Sequence, residues 1–488
     1  MSKHGSNSLH YASIHILDDD SLIYLFYLYR PPIFDGDEDG DDRILGGKGW
    51  DREQWWYKLA HVCRRWRKLI LGSASYLGLC LVCTHGTPVA DMLAHSPPFP
   101  IVIDYLGDHR DITVEEEGII LALGERDRVC RVRFQLPVPN MQKVIMAVDE
   151  EYPVLEYLIM WASTADNSAA LMFPESFQAP HLHHLMLFGF SLPIGSRLIT
   201  TAVDIVTLSI FMKQPSTYFQ PNTLLQWISF MPQLETLLIS FLSPIPNHNV
   251  ERQLAHTPIM TQVTLPNLRS FGFRGVSAYM EAVVRRITAP RLENLGIQFF
   301  NELTFSVPHL VQFMNTMENL RFDSSKVVFS GNDVYVRMYR EEDKAYVLSI
   351  SVFCWHLDWQ VSFVAQFFNS RGQIPPVVEK LALYYKVHNR SSEEHNQVDR
   401  AEWHKLLRSF NNVKTLRVED GLVKELSRSL LLDDGELPPG LLPELQKLTY
   451  SGSDNTGNAF TPFIDARQKV GRPVNLVGPS SSSVTLPS

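Results

Sequence analysis

The chain has 488 residues, 45% of them hydrophobic, with a formal net charge of −9 and five cysteines. That length holds two or three ordinary domains, or one long repeat array with a small cap, and the apolar content is enough for a large core. The acidic balance argues against a general polyanion binder. No charged-then-apolar leader opens the sequence, no run approaches the roughly 18 apolar residues of a spanning helix, and thinly scattered cysteines fit reduced thiols, so the expected location is cytoplasmic and/or nuclear, away from membranes.

Residues 1–13 are polar and expected to be flexible. In ILDDDSLIYLFYLYRPP, Asp18, Asp19, Asp20 and Ser21 suit a helix start, and Pro31-Pro32 a stop. Leu22, Leu25, Phe26 and Tyr29 share one face; nothing from Leu22 to Tyr29 is charged, which predicts cover on both sides of the helix. The acidic stretch 35–42 follows. Asp35, Asp37, Asp39 and Gly40 reproduce the opening of a calcium loop, but Gly46 stands where the bidentate Glu belongs, so a solvated insertion over about 33–50 is expected.

WWYKLAHVCRRWRKLI (55–70) reads as one amphipathic helix. Trp55, Leu59, Val62, Trp66, Leu69 and Ile70 form its apolar stripe at about 100° per residue, with Cys63 and Trp56 on the edge, Arg65 and Arg67 flanking it, and His61, Arg64 and Lys68 turned away. Nucleic-acid binding wants aromatics and cations on one exposed face; here they are segregated, and no nucleic-acid partner is expected.

From about residue 124 a phrase of the common form Pro-x-Leu-x-x-Leu-x-apolar recurs: PVLEYLIM, PHLHHLML, PQLETLLI, PNLRSFGF, PRLENLGI, the shorter MENLRF (317–322) and, later, PELQKLTY. Its spacing, irregular around the mid-twenties, is that of leucine-rich repeats, in which each L-x-L is a short strand stacked beside the next. Helical patterns such as NTLLQWISFM lie between the phrases, and the β-rich gap 323–377 predicts irregular or hairpin-like strands.

The sequence offers little chemistry. Cys80-x-x-Cys83 with His85 is half a zinc site, outweighed by a buried LCLVC strand. The histidines of HLHH (181–184) fall in a repeat phrase. GGKG (46–49) lacks the spacing and hydroxyl of a phosphate loop, and GxSxG and HExxH are absent. No catalytic residues, metal or cofactor are expected, and the chain does not read as an enzyme.

LDDDSLIYLF followed by WWYKLAHVCRRWRKLI resembles an F-box, with VCRRW (62–66) matching its Val-Cys-basic-basic-Trp signature. LCLVCTHGTPVADMLAHSPPFPIVIDY (79–105) looks like the link in F-box proteins of mushroom-forming fungi, where leucine-rich repeats follow. Asp18 stands where the family usually has proline, and the acidic insertion separates helices that are normally close. The implied fold is α/β: an all-α F-box-like module over 14–80, a link over 81–123, an irregular leucine-rich-repeat solenoid over 124–470 and a flexible tail over 471–488.

The implied function is that of a substrate-receptor subunit of an SCF-type cullin–RING ubiquitin ligase, docking on a Skp-type adaptor and through it a cullin. The adaptor contacts expected are Leu17, Leu22, Phe26, Leu59, Val62, Cys63, Trp66 and Leu69. Two readings stay beside it: a leucine-rich-repeat interaction scaffold with a degenerate F-box, and an enzyme hidden in 323–377, where no nucleophile with a base is visible. Because strand leucines point into the core, the residues beside them face out. That places a protein substrate of unstated identity against Trp161, Phe188, Phe211, Arg274, Gln298, Asp323, Tyr384 and Glu419.

Overall fold

The computed structural model describes residues 16–30, 55–106, 116–148, 150–163, 171–193, 195–214, 218–243, 262–300, 306–342, 344–369, 378–386, 398, 400–430, 441–451 and 459–478. The acidic insertion with its calcium-like aspartates, the GGKG stretch, residues 1–13 and the last ten residues lie outside these. The chain divides into two compact units, 1–184 with 195–201, and 185–194 with 202–488.

The first unit begins with helix Asp19–Tyr29, capped by Asp18, whose carboxylate accepts the Ser21 N–H at 2.7 Å. The same bond holds the Asp18 carboxyl below its ordinary pKa. Leu22 and Phe26 are buried, and Phe26 meets the Trp66 ring edge-on at 4.9 Å. Arg65 ties the two helices by pairing with Asp19 at 2.6 Å and donating to the Leu17 carbonyl at 2.7 Å.

The expected single helix over 55–70 is two, Trp55–Ala60 and Arg64–Gly72. Cys63 is extended between them and caps the second, its Sγ accepting the Trp66 N–H at 3.5 Å. The break resets the helical phase, so the predicted stripe does not stay on one face. Trp55 and Ile70 are buried while Val62 is 58% exposed.

Trp56 is buried too, its Nε1 donating to the Cys80 carbonyl at 3.3 Å and its ring edge-on to Phe99 at 5.8 Å. These contacts seat the helices on the segment expected to be a link. That segment supplies strands Leu81–Cys83 and Ile101–Tyr105, which run parallel to each other and to Val129–Pro137 and Tyr157–Ser163. Helices Val89–His95, Glu116–Gly124 and Val138–Ala147 connect them in turn. Repeat architecture therefore starts at residue 81, ahead of the first leucine phrase.

In the second unit the leucine phrases form parallel strands, Thr207–Met212, Thr236–Phe241, Ser270–Gly275 and Asn294–Phe299, and strand His184–Phe188 borders the first of them. Buried and half-exposed residues alternate along them, as in Ser270–Gly275. Leu234, Leu237, Leu268, Phe271, Leu292 and Leu295 are all buried, each contributing about 1.5–3 kcal/mol. Helices Pro221–Ser229, Ser277–Val284 and Pro308–Thr316 carry the other side of that core.

The gap 323–377 holds the expected hairpin. Ser324–Ser330, Asp333–Tyr339 and Tyr346–Phe353 are antiparallel in succession, in the sheet order 346–353, 333–339, 324–330. The third pairs in parallel with Asn294–Phe299 and the first with Lys380–Lys386. Gln360, fully buried on helix Leu357–Asn369, donates to the Ser330 and Cys354 carbonyls at 2.8 and 2.7 Å, closing the end of this insertion. Thr415–Val418, Lys447–Tyr450 and Asn475–Val477 continue the parallel series, so ordered structure enters the tail assigned from 471. The fold is the α/β leucine-rich-repeat plan, parallel strands alternating with helices.

Repeats are also latched to one another. Glu281, on helix Ser277–Val284, accepts the N–H groups of His309 and Leu310 at 2.9 and 2.8 Å, capping the next repeat's helix. Glu281→Ala is expected to lower unfolding free energy by about 1–2 kcal/mol, because two helix-terminal donors lose their acceptor. Urea denaturation reads this; an unchanged midpoint would show that water replaces the carboxylate at no cost.

Candidate interaction surfaces

The helix pair and the open strand face are the two places where predicted site residues gather. On the helices, Leu22 and Phe26 are turned inward, while Leu17, Leu59, Cys63, Trp66 and Leu69 are half-buried and Val62 is exposed. The two inward residues hold the helices together and are not free to touch a partner, a correction to their expected contact role. Besides Val62, the exposed apolar groups include ones that were not among the expected contacts: Ile16, Tyr24, Leu25 and Leu28, with Leu28 59% exposed. The signal was present in the uncharged run from Leu22 to Tyr29, whose second side needed a partner.

On the strands, register decides which residues share a row. Within the second unit Phe211 lies beside Ser240, Ser240 beside Arg274, Arg274 beside Gln298 and Gln298 beside Ser351. The row continues through Tyr335 and Val328 to Tyr384. Phe188 joins its start, its ring 5.9 Å from that of Phe211. Glu419 follows strand Thr415–Val418, its N–H bonded to the Leu383 carbonyl at 3.0 Å, which sets it next to Tyr384. All of these predicted residues are half-exposed. In the first unit Trp161 is half-exposed beside Gln135.

Asp323 does not belong to the row. It precedes strand Ser324–Ser330, and its carboxylate accepts the Glu341 N–H at 3.2 Å and the Ser324 hydroxyl at 2.7 Å. The phrase MENLRF (317–322) is not a strand; Met317 and Leu320 are buried, and the strand starts after it. The residue in the row is Val328. Sequence reasoning also missed Tyr335, Lys326 and Arg337, which lie in the insertion outside the leucine phrase.

Cys83 is buried in strand Leu81–Cys83, where burial pushes its thiol up to about 12, and the His85 ring stands edge-on to Tyr105 at 4.9 Å. Among the described residues no three His, Cys, Asp or Glu side chains are grouped to hold a metal ion, and no helix is long and apolar enough to cross a membrane.

No family model and no curated protein matches the sequence. Among solved structures, the leucine-rich repeat-containing protein LegL7 from Legionella pneumophila aligns with 79% of this chain and 97% of that chain, at 10% identity and a TM-score of 0.28. A superposition that loose carries no argument. The repeat architecture stands on the strand registers themselves.

Proposed function

We propose that this protein is a substrate receptor of an SCF-type cullin–RING ubiquitin ligase, its N-terminal helices docking on a Skp-type adaptor and its strand face holding a protein substrate. The observation that carries this reading is the helix pair, in which VCRRW supplies the Trp66–Phe26 contact while Leu25, Leu28 and Val62 remain exposed. An apolar surface on a small helical module fits a partner better than water. No bond-making step is assigned to this chain. A receptor acts by position, keeping substrate near the ubiquitin-charged enzyme.

Replacing Leu25, Leu28 and Val62 together by serine is expected to reduce adaptor capture at least about tenfold, as loss of several interface anchors does, with little change in melting temperature. Capture by the wild-type chain but equally by this variant would sink the docking surface. A second reading, an interaction scaffold whose helices take no adaptor, is favoured by the inward turn of Leu22 and Phe26. Failure of the folded wild-type chain to capture adaptor, with other proteins still retained on its strand face, would establish it.

A further inference from the structure

The half-exposed face of the second unit is not uniform. Where the hairpin enters the sheet, register places Arg337, Lys326 and Arg417 in one row, with Arg337 directly beside Lys326 and Ala382 between Lys326 and Arg417. The next row carries Tyr335 and Tyr384 on either side of Val328. The cations lie over those rings. Lys326 Nζ is 4.4 Å from the centre of the Tyr384 ring and the Arg417 guanidinium 5.7 Å, each from a strand neighbouring that of Tyr384. Arg337 is 4.9 Å from the rings of both Tyr335 and Tyr346. Among the described residues none of these three cations forms an ion pair, whereas Lys380 and Lys414, near the start of the strands, pair with Glu341 and Glu379 at 3.5 and 2.7 Å. Cations held in place by aromatic rings, and not locked in ion pairs, are preorganised for an anion.

We infer that this patch binds an acidic, extended segment of a protein partner, carboxylate side chains meeting Arg337, Lys326 and Arg417. The inference deepens the proposed substrate-binding role of the strand face and rests on it. Neighbouring strands are about 4.8 Å apart, and an extended peptide repeats its side chains on one side about every 7 Å. A segment crossing the strands therefore brings successive acids within reach of flexible Lys and Arg heads.

Two observations set this against nucleic acid, which also seeks cations and aromatics on one face. The cations already lie over the tyrosine rings and compete with a base for the ring faces. The chain as a whole carries −9, which repels a long polyanion more than a short acidic stretch. Glu419 is the carboxyl within the patch. Burial raises its pKa, opposed by Arg417, Lys326 and Lys386, and it competes with an incoming acid for the same charges.

The test titrates the full chain into a short fluorescein-labelled glutamate-rich peptide, its glutamine counterpart, and a single-stranded oligonucleotide, reading anisotropy. The acidic peptide is expected to bind with an affinity that falls as salt rises, and the glutamine peptide not to bind. Lys326→Ala with Arg337→Ala should weaken binding at least about tenfold. Glu419→Gln should tighten it several-fold, a gain that misfolding does not produce. Equal binding of the glutamine peptide, no binding of the acidic one, or tighter oligonucleotide binding lost in the same double variant would each overturn the inference. Adaptor capture is measured in parallel. Capture without acidic-peptide binding removes this inference and spares the receptor reading; acidic-peptide binding without capture does the reverse.

Discussion

Trp403→Ala is expected to lower the stability of the second unit by about 3–5 kcal/mol, the usual cost of emptying a buried indole site. Trp403 is fully buried on helix Arg400–Arg408 and meets Phe329 edge-on at 5.7 Å. Phe329 lies on the first strand of the insertion, so the indole joins a helix of one repeat to the strand on which Lys326 sits. Repeat proteins respond locally, because each repeat touches only its neighbours. Hydrogen exchange should therefore show protection lost first over 324–330 and 380–386, with 207–212 and 236–241 little changed. A loss spread evenly over all strands would mean that the unit unfolds in one step and that the local account is wrong.

Arg467→Met should cost about 3 kcal/mol, in the range for breaking charge-assisted hydrogen bonds in the interior. Arg467 is 1% exposed on helix Thr461–Lys469. It donates to the carbonyls of Leu442, Pro443 and Leu445 at 3.0, 3.1 and 3.2 Å. The segment it holds includes Leu442 at φ +50°, a left-handed backbone that a leucine resists. Methionine keeps much of the volume and removes every donor, so the carbonyls lose their partner and the strained turn its clamp. Arg467→Lys should recover only part of the loss, since one ammonium cannot span the same carbonyls. Proteolysis near Leu442 and denaturant midpoints measure both variants. Full rescue by lysine would show that charge alone matters.

Much of the fold was legible because the leucine phrase states a strand and its facing together. Leu234 with Leu237, and Leu268 with Phe271, reveal both spacing and the buried side, and the half-exposed row from Phe211 to Arg274 and Gln298 follows by alternation. The break at Cys63 was hidden because a thiol is not among the preferred helix caps, so VCRRW reads as continuous helix. Asp323 was misplaced because MENLRF carries the phrase without forming the strand. Arg337 and Lys326 were illegible for a deeper reason: nothing local in an antiparallel insertion says which distant strand it will face, and register with Lys380–Lys386 is set only by tertiary pairing.

That insertion also bears on how the protein is made. As the chain emerges from synthesis, each earlier strand of the second unit can add to the one just before it. Ser324–Ser330 cannot, because its parallel partner, Lys380–Lys386, has not yet appeared, and the place beside Asn294–Phe299 belongs to Tyr346–Phe353. The edge at Asn294–Phe299 therefore stays without its sheet neighbour until all three insertion strands have been translated, a delay in assembly that the sequential strands before it do not face.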